Sequence, residues 1–480
     1  MTLLQLSPLQ LSVYWRLSLI IFFSSFLFFL DIFTNPINQE KCGSPTNFSD
    51  LQDFDGTHQG WMTEDSANQC SSWLTHGQMM FMVGLLLGSL LCGPFSDRYG
   101  RRPVLLVCVV IHAVCGVLPA IFHDPLFYLA VRCLTGICSC CINISCFSLA
   151  VEWTLAPSRL WPPAFLPFCF SLGTMGGSAL AWTSNTWTQL HLMMSLPQLI
   201  CLPLFFFIPE SPRWLMLFQK ADELKRYRDN SLADNRCLDL LLESSTDPKS
   251  ATEATTGDTM QLKHPMVLLR LSIMSFLSLA SSITYNGISM NVGSFGVGVY
   301  SAHFFSGLSE TPCLLVPLLH LGRRTNTMLA LLLSGCASFL SLLLSRFQGG
   351  GVLVMSLALF GKLCVLAAIF VSNVYGIELF PTVIRQRCLS VVNLSYRIGC
   401  LINSAVPATS GGAISLGAML LYSSGPIIGC GLCLLLPETA GAPLPDTVED
   451  CKQQRQQLPL VDTNDSKHLQ KHNGGSDSGI

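Results

Sequence analysis

The sequence predicts an all-α membrane protein in which twelve transmembrane helices form two six-helix bundles. Three observations lead to this prediction: the composition, the number of apolar runs and an internal repeat. Of the 480 residues, 50% are hydrophobic and only 12% are charged, and the mean hydropathy is +0.48. Because soluble globular proteins carry about 25% charged residues, this composition excludes a soluble multidomain protein.

Twelve apolar runs supply the predicted spans. A helix needs about 20 apolar residues to cross the hydrocarbon core of a bilayer. The first run lacks the basic start and the small-residue cleavage site of a signal peptide, so we expect it to remain as a span. The runs cover residues 12–34, 73–95, 103–122, 125–150, 160–183, 187–208, 266–288, 295–319, 326–345, 351–377, 387–408 and 412–436.

Charge asymmetry between the loops predicts the orientation of the chain. The loops after even-numbered spans are rich in arginine and lysine, whereas the opposite loops carry mainly acidic residues. Short basic loops stay in the cytoplasm. We therefore expect both termini in the cytoplasm, an external loop at 35–72 with N-glycosylation at Asn47, and a location in the plasma membrane.

The 21 cysteines indicate neither a metal site nor a disulfide scaffold. Most lie in apolar runs, where cysteine behaves as a small hydrophobe, and no C-x-x-C pair has a partner at metal-ligand spacing. We expect no metal and no other cofactor. Cys42 and Cys70 lie in the polar loop, and we expect a disulfide between them if this loop faces an oxidising compartment.

Three short sequences from the first half recur in the second half, in the same order and at a nearly constant offset. Each copy falls at the cytoplasmic end of the second, fourth or sixth span of its half, so the halves have the same orientation and indicate a duplicated transporter with a site between two bundles. The pairs are Gly100-Arg101-Arg102 with Gly322-Arg323-Arg324, Glu152 and Arg159 with Glu378 and Arg385, and Pro209-Glu210-Ser211 with Pro437-Glu438-Thr439.

The repeat and the polar segments divide the chain. We expect an N-terminal bundle at 1–208, a cytoplasmic linker at 209–264, a C-terminal bundle at 265–437 and a disordered cytoplasmic tail at 438–480. The last residues, Ser478-Gly479-Ile480, could add as a strand to a PDZ-type partner. The net charge of −2 and the lack of basic tracts exclude a nucleic-acid partner.

The motifs resemble the major facilitator superfamily and, within it, the solute carrier 22 family of organic ion transporters. The resemblance implies the major facilitator fold, a small organic ion as substrate and transport by alternating access. It covers nearly the whole chain and rests on GPFSDRYGRR at 93–102, ESPRWL at 210–215, ELFPTVIR at 378–385 and PETAGAPLPDT at 437–447.

Charged residues in these motifs are predicted to hold one face of the transporter shut. A carboxylate can bind at the N-terminus of a neighbouring helix, and an arginine can pair with a carboxylate at a helix end. The alternative is that these basic loops only fix the orientation. In the second copy Leu319 and His320 replace the acidic residue usual in the family, so we expect weaker closure there. The predicted gating residues are Asp97, Arg98, Arg101, Arg102, Glu152, Arg159, Glu378 and Arg385.

Three basic residues within predicted spans are candidates for a role inside the membrane: Arg132, Lys362 and Arg397. A charge in the middle of a membrane costs about 2.5–3.5 kcal/mol on insertion scales, so each needs a partner or a function. We expect Arg132 to reach the outer interface as an anchor. Lys362 and Arg397 are predicted to bind the substrate, and the resemblance places Arg397 where the family's anion and carnitine transporters carry arginine.

The basic residues favour an anionic or zwitterionic substrate, because no carboxylate is evident deep in an apolar run. A guanidinium can bind a carboxylate through paired hydrogen bonds. The alternative for Arg397 is a bond to a backbone carbonyl that only stabilises the bundle. The predicted cavity wall comprises Tyr285, Asn286, Phe168, Phe170, Phe370 and Tyr375, whose alternative role is packing in the core or against lipid.

The leading hypothesis is a transporter of organic anions or zwitterions, with a non-transporting receptor or scaffold on the same fold as the alternative. The alternative draws on span eight, where Cys313 and two leucines follow Pro312 and the lysine found in many anion transporters is missing. An enzyme is not expected, because the chain has no G-x-S-x-G elbow, H-E-x-x-H motif or phosphate loop.

Overall fold

The computed structural model describes residues 7–34, 64–122, 124–154, 161–217, 239, 264–291, 298–312, 322–346, 350–381, 384–405 and 416–439. Several predicted features lie outside these residues: Asn47, Cys42, Arg159 and the C-terminal Ser478-Gly479-Ile480. Cys70 and Asp97 lie within a described helix, but their side chains are outside the described part.

Each of the twelve predicted spans corresponds to a helix in the described part of the chain, and no strand occurs there. A short helix, Pro212–Leu217, follows the sixth of them. The twelve are α1 Pro8–Phe28, α2 Glu64–Tyr99, α3 Arg101–Ile121, α4 Pro125–Glu152, α5 Trp161–Thr183, α6 Trp187–Phe205, α7 Pro265–Asn291, α8 Val299–Glu310, α9 Arg323–Arg346, α10 Gly351–Leu379, α11 Arg385–Ala405 and α12 Leu416–Cys433.

Eight helices of the described chain are long and apolar enough to cross a membrane by length and composition alone: α1, α3, α4, α7, α10 and most of α2, α5 and α9. The spanning part of α2 is His76–Ser96. The helix itself begins at Glu64, so the predicted external loop of 35–72 ends in helix.

The start of α1 is fixed by its own sequence. The Ser7 hydroxyl accepts a hydrogen bond from the Gln10 amide at 3.2 Å, and the Gln10 side chain accepts one from the Ser7 amide at 3.1 Å. This capping box satisfies amides that would otherwise lack a partner at the first turn. Gln10 Nε2 also donates to the Trp153 carbonyl at 2.8 Å, which ties the start of α1 to the end of α4.

Each half of the described chain has its own apolar core. Leu17, Val109 and Leu149 belong to the core of the first half, and Leu277, Leu331 and Tyr375 belong to that of the second. Because each core draws on helices of one half only, the repeat in the sequence corresponds to two separately packed bundles. We call these bundles the N-half (α1–α6) and the C-half (α7–α12).

The most extensive contacts between the halves join α5 with α8 and α2 with α11. Gly307 of α8 lies so close to α5 that a Cβ built there would be 2.9 Å from the Ser171 carbonyl oxygen. Phe81 and Leu85 of α2 pack in one buried cluster with Cys400 of α11. The middle of the molecule is therefore lined by helices from both halves.

Helices α2 and α4 pack backbone against backbone through glycine. A Cβ at Gly136 would lie 2.2 Å from the Phe81 carbonyl oxygen, and one at Gly84 would lie 2.1 Å from the Cys133 carbonyl oxygen. Small residues at such positions allow close approach of membrane helices.

We expect Gly136→Val to destabilise the N-half by about 3 kcal/mol or more, at the upper end of overpacking costs, because backbone atoms must move to make room. The measurement is the midpoint of thermal unfolding in detergent. Gly431→Val is the matched control, since a Cβ at Gly431 meets nothing within 4 Å. Equal midpoints for the two variants would contradict the close α2–α4 packing.

Candidate functional site

The Gly-Arg-Arg motif of the N-half forms the start of α3, where the carboxylate of Glu210 caps the helix. Glu210 Oε1 accepts hydrogen bonds from the backbone amides of Arg101 at 3.1 Å and Arg102 at 3.2 Å. Burial raises the pKa of Glu210, and these amide donors oppose that rise. A carboxylate at a helix N-terminus is also stabilised by the helix dipole. Gly100 is required here, because its φ is +102° and a Cβ would lie 2.6 Å from Glu210 Oε2.

The C-half repeats this arrangement. Glu438 accepts from the Arg324 amide at 3.1 and 3.3 Å, and a Cβ at Gly322 would lie 2.6 Å from Glu438 Oε2. Pro-Glu and Gly-Arg-Arg are separate repeats in the sequence, and the structure joins them into one contact in each half. The internal repeat is therefore a repeat of tertiary structure.

The arginines of the motif bind within their own half. Arg101 Nε lies 3.4 Å from Glu152 Oε1 at the end of α4, and Arg323 Nε lies 3.4 Å from Glu378 Oε1 at the end of α10. Arg102 Nη2 donates to the Phe206 carbonyl at 2.7 Å. All these partners lie at one end of the molecule, which we call the motif end.

The remaining predicted gating residues take other positions. Arg98 is exposed, with its guanidinium 5.6 Å from the centre of the Tyr99 ring. Arg385 Nε donates to the Phe380 carbonyl at 3.2 Å. Leu319 and His320, which were expected to weaken the second copy, lie outside the described residues. The Glu378 contact nevertheless matches that of Glu152, and Glu378 Oε2 also accepts from the Thr439 hydroxyl at 2.7 Å.

The expectation that no carboxylate lies deep in the spans is wrong. Glu310, at the described end of α8, is 5% exposed, and its Oε1 lies 2.6 Å from the Nζ of Lys362, which is 1% exposed. Glu310 lies inside the predicted run 295–319, but its partner Lys362 is more than fifty residues away on another helix, so the sequence alone does not show the pair. Two oppositely charged groups stabilise one another in a low-dielectric interior when their geometry is close.

Glu310 also links the halves. Its Oε1 accepts from the Tyr285 hydroxyl of α7 at 2.8 Å, and its Oε2 accepts from the Ser171 hydroxyl of α5 at 2.6 Å. Ser171 belongs to the N-half, whereas the other partners belong to the C-half. The structure thus brings the predicted residues Lys362 and Tyr285 together at the junction of the two bundles.

A second buried carboxylate, Asp31, lies just beyond α1. Arg132 Nη2 is 2.5 Å from Asp31 Oδ2, and the Tyr128 hydroxyl donates to Asp31 Oδ1. The expectation that Arg132 reaches the outer interface is therefore wrong, because its side chain is 2% exposed and paired inside the N-half. Its remaining contacts are the Leu27 carbonyl at 3.0 Å and the face of the Phe81 ring at 4.6 Å.

Arg397 has a different environment. Within the described residues it makes no ion pair and no hydrogen bond, and its guanidinium carbon lies 5.7 Å from the centre of the adjacent Tyr396 ring. Its side chain is partly exposed, and the adjacent Tyr396 packs against the buried cluster that contains Phe81, Cys140 and Cys400. Arg397 therefore lies at the α2–α4–α11 junction between the halves with its hydrogen-bonding capacity available.

The contacts of Asn286 and Tyr285 show that α7 lies between Lys362 and the part of α11 that carries Arg397. The Asn286 Nδ2 lies 3.2 Å from Cys400 Sγ, one helical turn beyond Arg397, and it donates to the Ser282 carbonyl at 2.9 Å. The preceding residue, Tyr285, contacts Glu310, and Lys362 Nζ lies 5.0 Å from the centre of its ring. Consecutive residues of α7 thus face the Lys362 pair and the Arg397 helix.

The other predicted cavity residues are not all brought to this junction. Phe170 packs edge-on against Phe28 at 5.4 Å, and Phe168 packs with Phe165 against the N-half core. Phe370 and Tyr375 follow Lys362 by eight and thirteen residues, about 12 and 20 Å along α10. Tyr375 is fully buried and donates to the Pro437 carbonyl near the motif end.

Opposite the motif end, aromatic side chains join the residues that follow α1 to α8. The Phe33 and Tyr300 rings stack with their centres 5.8 Å apart, and the His303 ring lies 5.5 Å from Phe29 and 5.3 Å from Phe33. His303 is 1% exposed. This aromatic contact crosses between the halves. The sequence did not predict it, because each of these residues is typical of an apolar span.

Comparison with known proteins identifies the family. A family model described as Major Facilitator Superfamily matches residues 17–404. Solute carrier family 22 member 13 of Homo sapiens is 31% identical over 384 residues, which cover 78% of this chain and 68% of the relative. Organic anion transporter 3 of Oryctolagus cuniculus is 31% identical over 384 residues, covering 78% of this chain and 70% of the relative.

Solved structures with the same fold confirm the architecture. The proton:xylose symporter XylE bound to 6-bromo-6-deoxy-D-glucose has a TM-score of 0.62 at 19% identity, covering 92% of this chain and 99% of that chain. The inward open conformation of XylE from E. coli has a TM-score of 0.60 at 19% identity with the same coverage. The predicted all-α major facilitator fold is confirmed, and the described residues supply the twelve helices α1–α12. The chain belongs to the major facilitator superfamily and, within it, to solute carrier family 22, and it is a multi-pass membrane transporter rather than an enzyme.

Proposed function

We propose that this transporter moves small organic anions or zwitterions, with Arg397 as the residue that binds the anionic group. The single observation that carries this proposal is the state of Arg397: a guanidinium between the halves that has no acidic partner among the described residues. A planar guanidinium binds carboxylate or sulfate through two parallel hydrogen bonds. The name of one relative, organic anion transporter 3, supports the same substrate class.

The proposed substrate pathway runs between α7, α11 and the N-half. Asn286 and Tyr285 supply polar groups beside the anion, and the apolar cluster around Phe81 supplies surface for an organic body. Binding sites for small molecules usually combine a mostly apolar lining with a few polar groups that fix the orientation. The proposed substrate is therefore an organic acid with a hydrophobic part.

Alternating access requires two rigid halves that rock about the site. The Glu210 and Glu438 caps and the Arg101–Glu152 and Arg323–Glu378 pairs each lie within one half, so we propose that they keep the helix ends of each half together while it moves. The aromatic contact of Phe33 with Tyr300 crosses between the halves at the opposite end. We propose that the molecule is closed at this aromatic end and that the motif pairs act at the other end by keeping each half rigid.

The direct test is a panel of labelled compounds in cells that express the protein: a monocarboxylate, an organic cation and a zwitterion. We expect uptake of the monocarboxylate or the zwitterion and none of the cation. Uptake of the cation alone would overturn the proposed substrate class. Binding without uptake of any compound would support the receptor alternative, which none of the relatives above favours.

The cellular setting is also proposed from the charge pattern. We propose a plasma-membrane location with both termini in the cytoplasm, glycosylation at Asn47, a Cys42–Cys70 disulfide, and a PDZ-type partner at Ser478-Gly479-Ile480. We expect a glycosidase to increase the mobility of the wild-type protein on a gel and to leave Asn47→Gln unchanged. A glycosidase shift that persists in Asn47→Gln would place the glycan elsewhere.

A further inference from the structure

The buried carboxylate of Glu310 compensates the positive charge of Lys362. The Lys362 Nζ lies 2.6 Å from Glu310 Oε1, and it donates to the Ser306 hydroxyl one turn earlier on α8. Its third neighbour is the face of the Tyr285 ring. The ammonium group thus has a carboxylate, a hydroxyl and an aromatic face as its neighbours, and the Glu310 carboxylate compensates its charge. The prediction that Lys362 binds the substrate directly is therefore replaced by a different role.

The Glu310 carboxylate is likewise held in place. In addition to its ion pair with Lys362, it accepts hydrogen bonds from the hydroxyls of Tyr285 and Ser171, so each of its oxygens has a partner. The pair as a whole is neutral. The other buried pair of the described spans, Asp31 with Arg132, is neutral for the same reason.

The charge at the centre of the described spans is then that of Arg397 alone. Lys362 and Arg397 flank the same stretch of α7, because Tyr285 contacts Lys362 and Asn286 contacts Cys400, which follows Arg397 by one turn. A ligand anchored at Arg397 therefore has the Glu310 carboxylate near its other end. A second negative group on the ligand would meet a like charge that has no free cation beside it.

We propose that Glu310 sets the charge selectivity of this transporter: by neutralising Lys362 it restricts the site to ligands with one negative charge and disfavours dianions. This inference rests on the proposed function, in which Arg397 binds the anion. Glu310 does not bind the ligand itself, and it acts through Lys362.

The test compares benzoate with isophthalate, which share a ring and differ by one carboxylate, as inhibitors of labelled benzoate binding to the purified full-length protein. In the wild type we expect benzoate to bind at least tenfold more tightly than isophthalate. Glu310→Gln keeps the shape of the side chain and one acceptor oxygen, and it removes the negative charge that compensates Lys362. We expect this variant to shift the ratio of the two affinities at least tenfold toward isophthalate.

Two further variants separate charge from structure. Glu310→Gln/Lys362→Gln again leaves one positive charge, and we expect it to restore the preference for benzoate. Ser171→Ala removes a neutral hydrogen bond to Glu310 and leaves every charge, so its ratio should equal that of the wild type. If Glu310→Gln fails to fold, Lys362→Gln serves instead. Its uncompensated Glu310 carboxylate should weaken benzoate binding at least tenfold.

The outcomes distinguish this inference from the proposed function. If the wild type binds benzoate and Glu310→Gln binds it with an unchanged ratio, Glu310 does not set selectivity although anion binding stands. A shift of equal size in Ser171→Ala would assign the effect to packing and overturn the inference. If the wild type binds neither compound nor any other anion, both proposals are wrong.

Discussion

Replacing Arg397 with alanine is expected to abolish anion uptake while the amount of protein at the cell surface stays unchanged. Truncating one partner of a buried, hydrogen-bonded charge pair costs about 2–5 kcal/mol, and about 1.4 kcal/mol corresponds to a factor of ten. Anion affinity should therefore fall by about 30-fold or more. Folding should be retained, because Arg397 makes no ion pair or hydrogen bond within the described chain.

Two further variants make this test specific. Arg397→Lys keeps the positive charge but loses the planar pair of donors, so uptake should be intermediate. Arg387→Ala removes an exposed arginine from the same helix and should leave uptake close to that of the wild type. Surface biotinylation measures the amount of protein at the membrane. Normal anion uptake by Arg397→Ala would remove Arg397 from the mechanism.

Replacing Asp31 with asparagine is expected to destabilise the N-half by about 3–5 kcal/mol, because it leaves the buried Arg132 without its counter-charge. Arg132 cannot reach water from its position between α1, α2 and α4, since it is bound to the Leu27 carbonyl and lies over the Phe81 ring. The midpoint of thermal unfolding in detergent should fall strongly, and surface expression should fall with it.

The matched controls isolate the charge. Asp31→Asn/Arg132→Met removes both charges and should recover part of the lost stability, because no unpaired ion remains. Asp124→Asn makes the same chemical change at an exposed residue just before α4, where the aspartate makes no capping hydrogen bond. A midpoint for Asp31→Asn equal to that of Asp124→Asn would show that Asp31 is not the counter-charge of Arg132.

The sequence predicted the fold well because a bilayer imposes simple physical requirements. Apolar runs long enough to cross it must form helices, since backbone groups have no other partner there. The duplicated motifs predicted two halves with the same orientation, because each copy falls at the same end of its span. The contact between Glu210 and the start of α3 could not be predicted from spacing, because more than a hundred residues separate the two and only the folded chain brings them together.

The candidate site was predicted only in part, for an electrostatic reason. Lys362 and Arg397 have the same signal in the sequence, a single basic residue within an apolar run. Their roles differ because Lys362 meets Glu310 across α8 and α10, whereas Arg397 meets no acidic residue in the described chain. Asp31 stands near the end of its apolar run, where sequence alone assigns it to the interface, and Glu310 lies inside the run 295–319 with no lysine or arginine in that run. Their partners on other helices are brought close only by the fold.

The most direct test of a single central cation between two halves is a structure of the protein with a bound bromobenzoate, located by the anomalous signal of its bromine. The account predicts that the carboxylate lies within hydrogen-bond distance of the Arg397 guanidinium and that the Lys362–Glu310 pair stays intact. A carboxylate bound to Lys362 in place of Glu310, with Arg397 packed against protein, would contradict it.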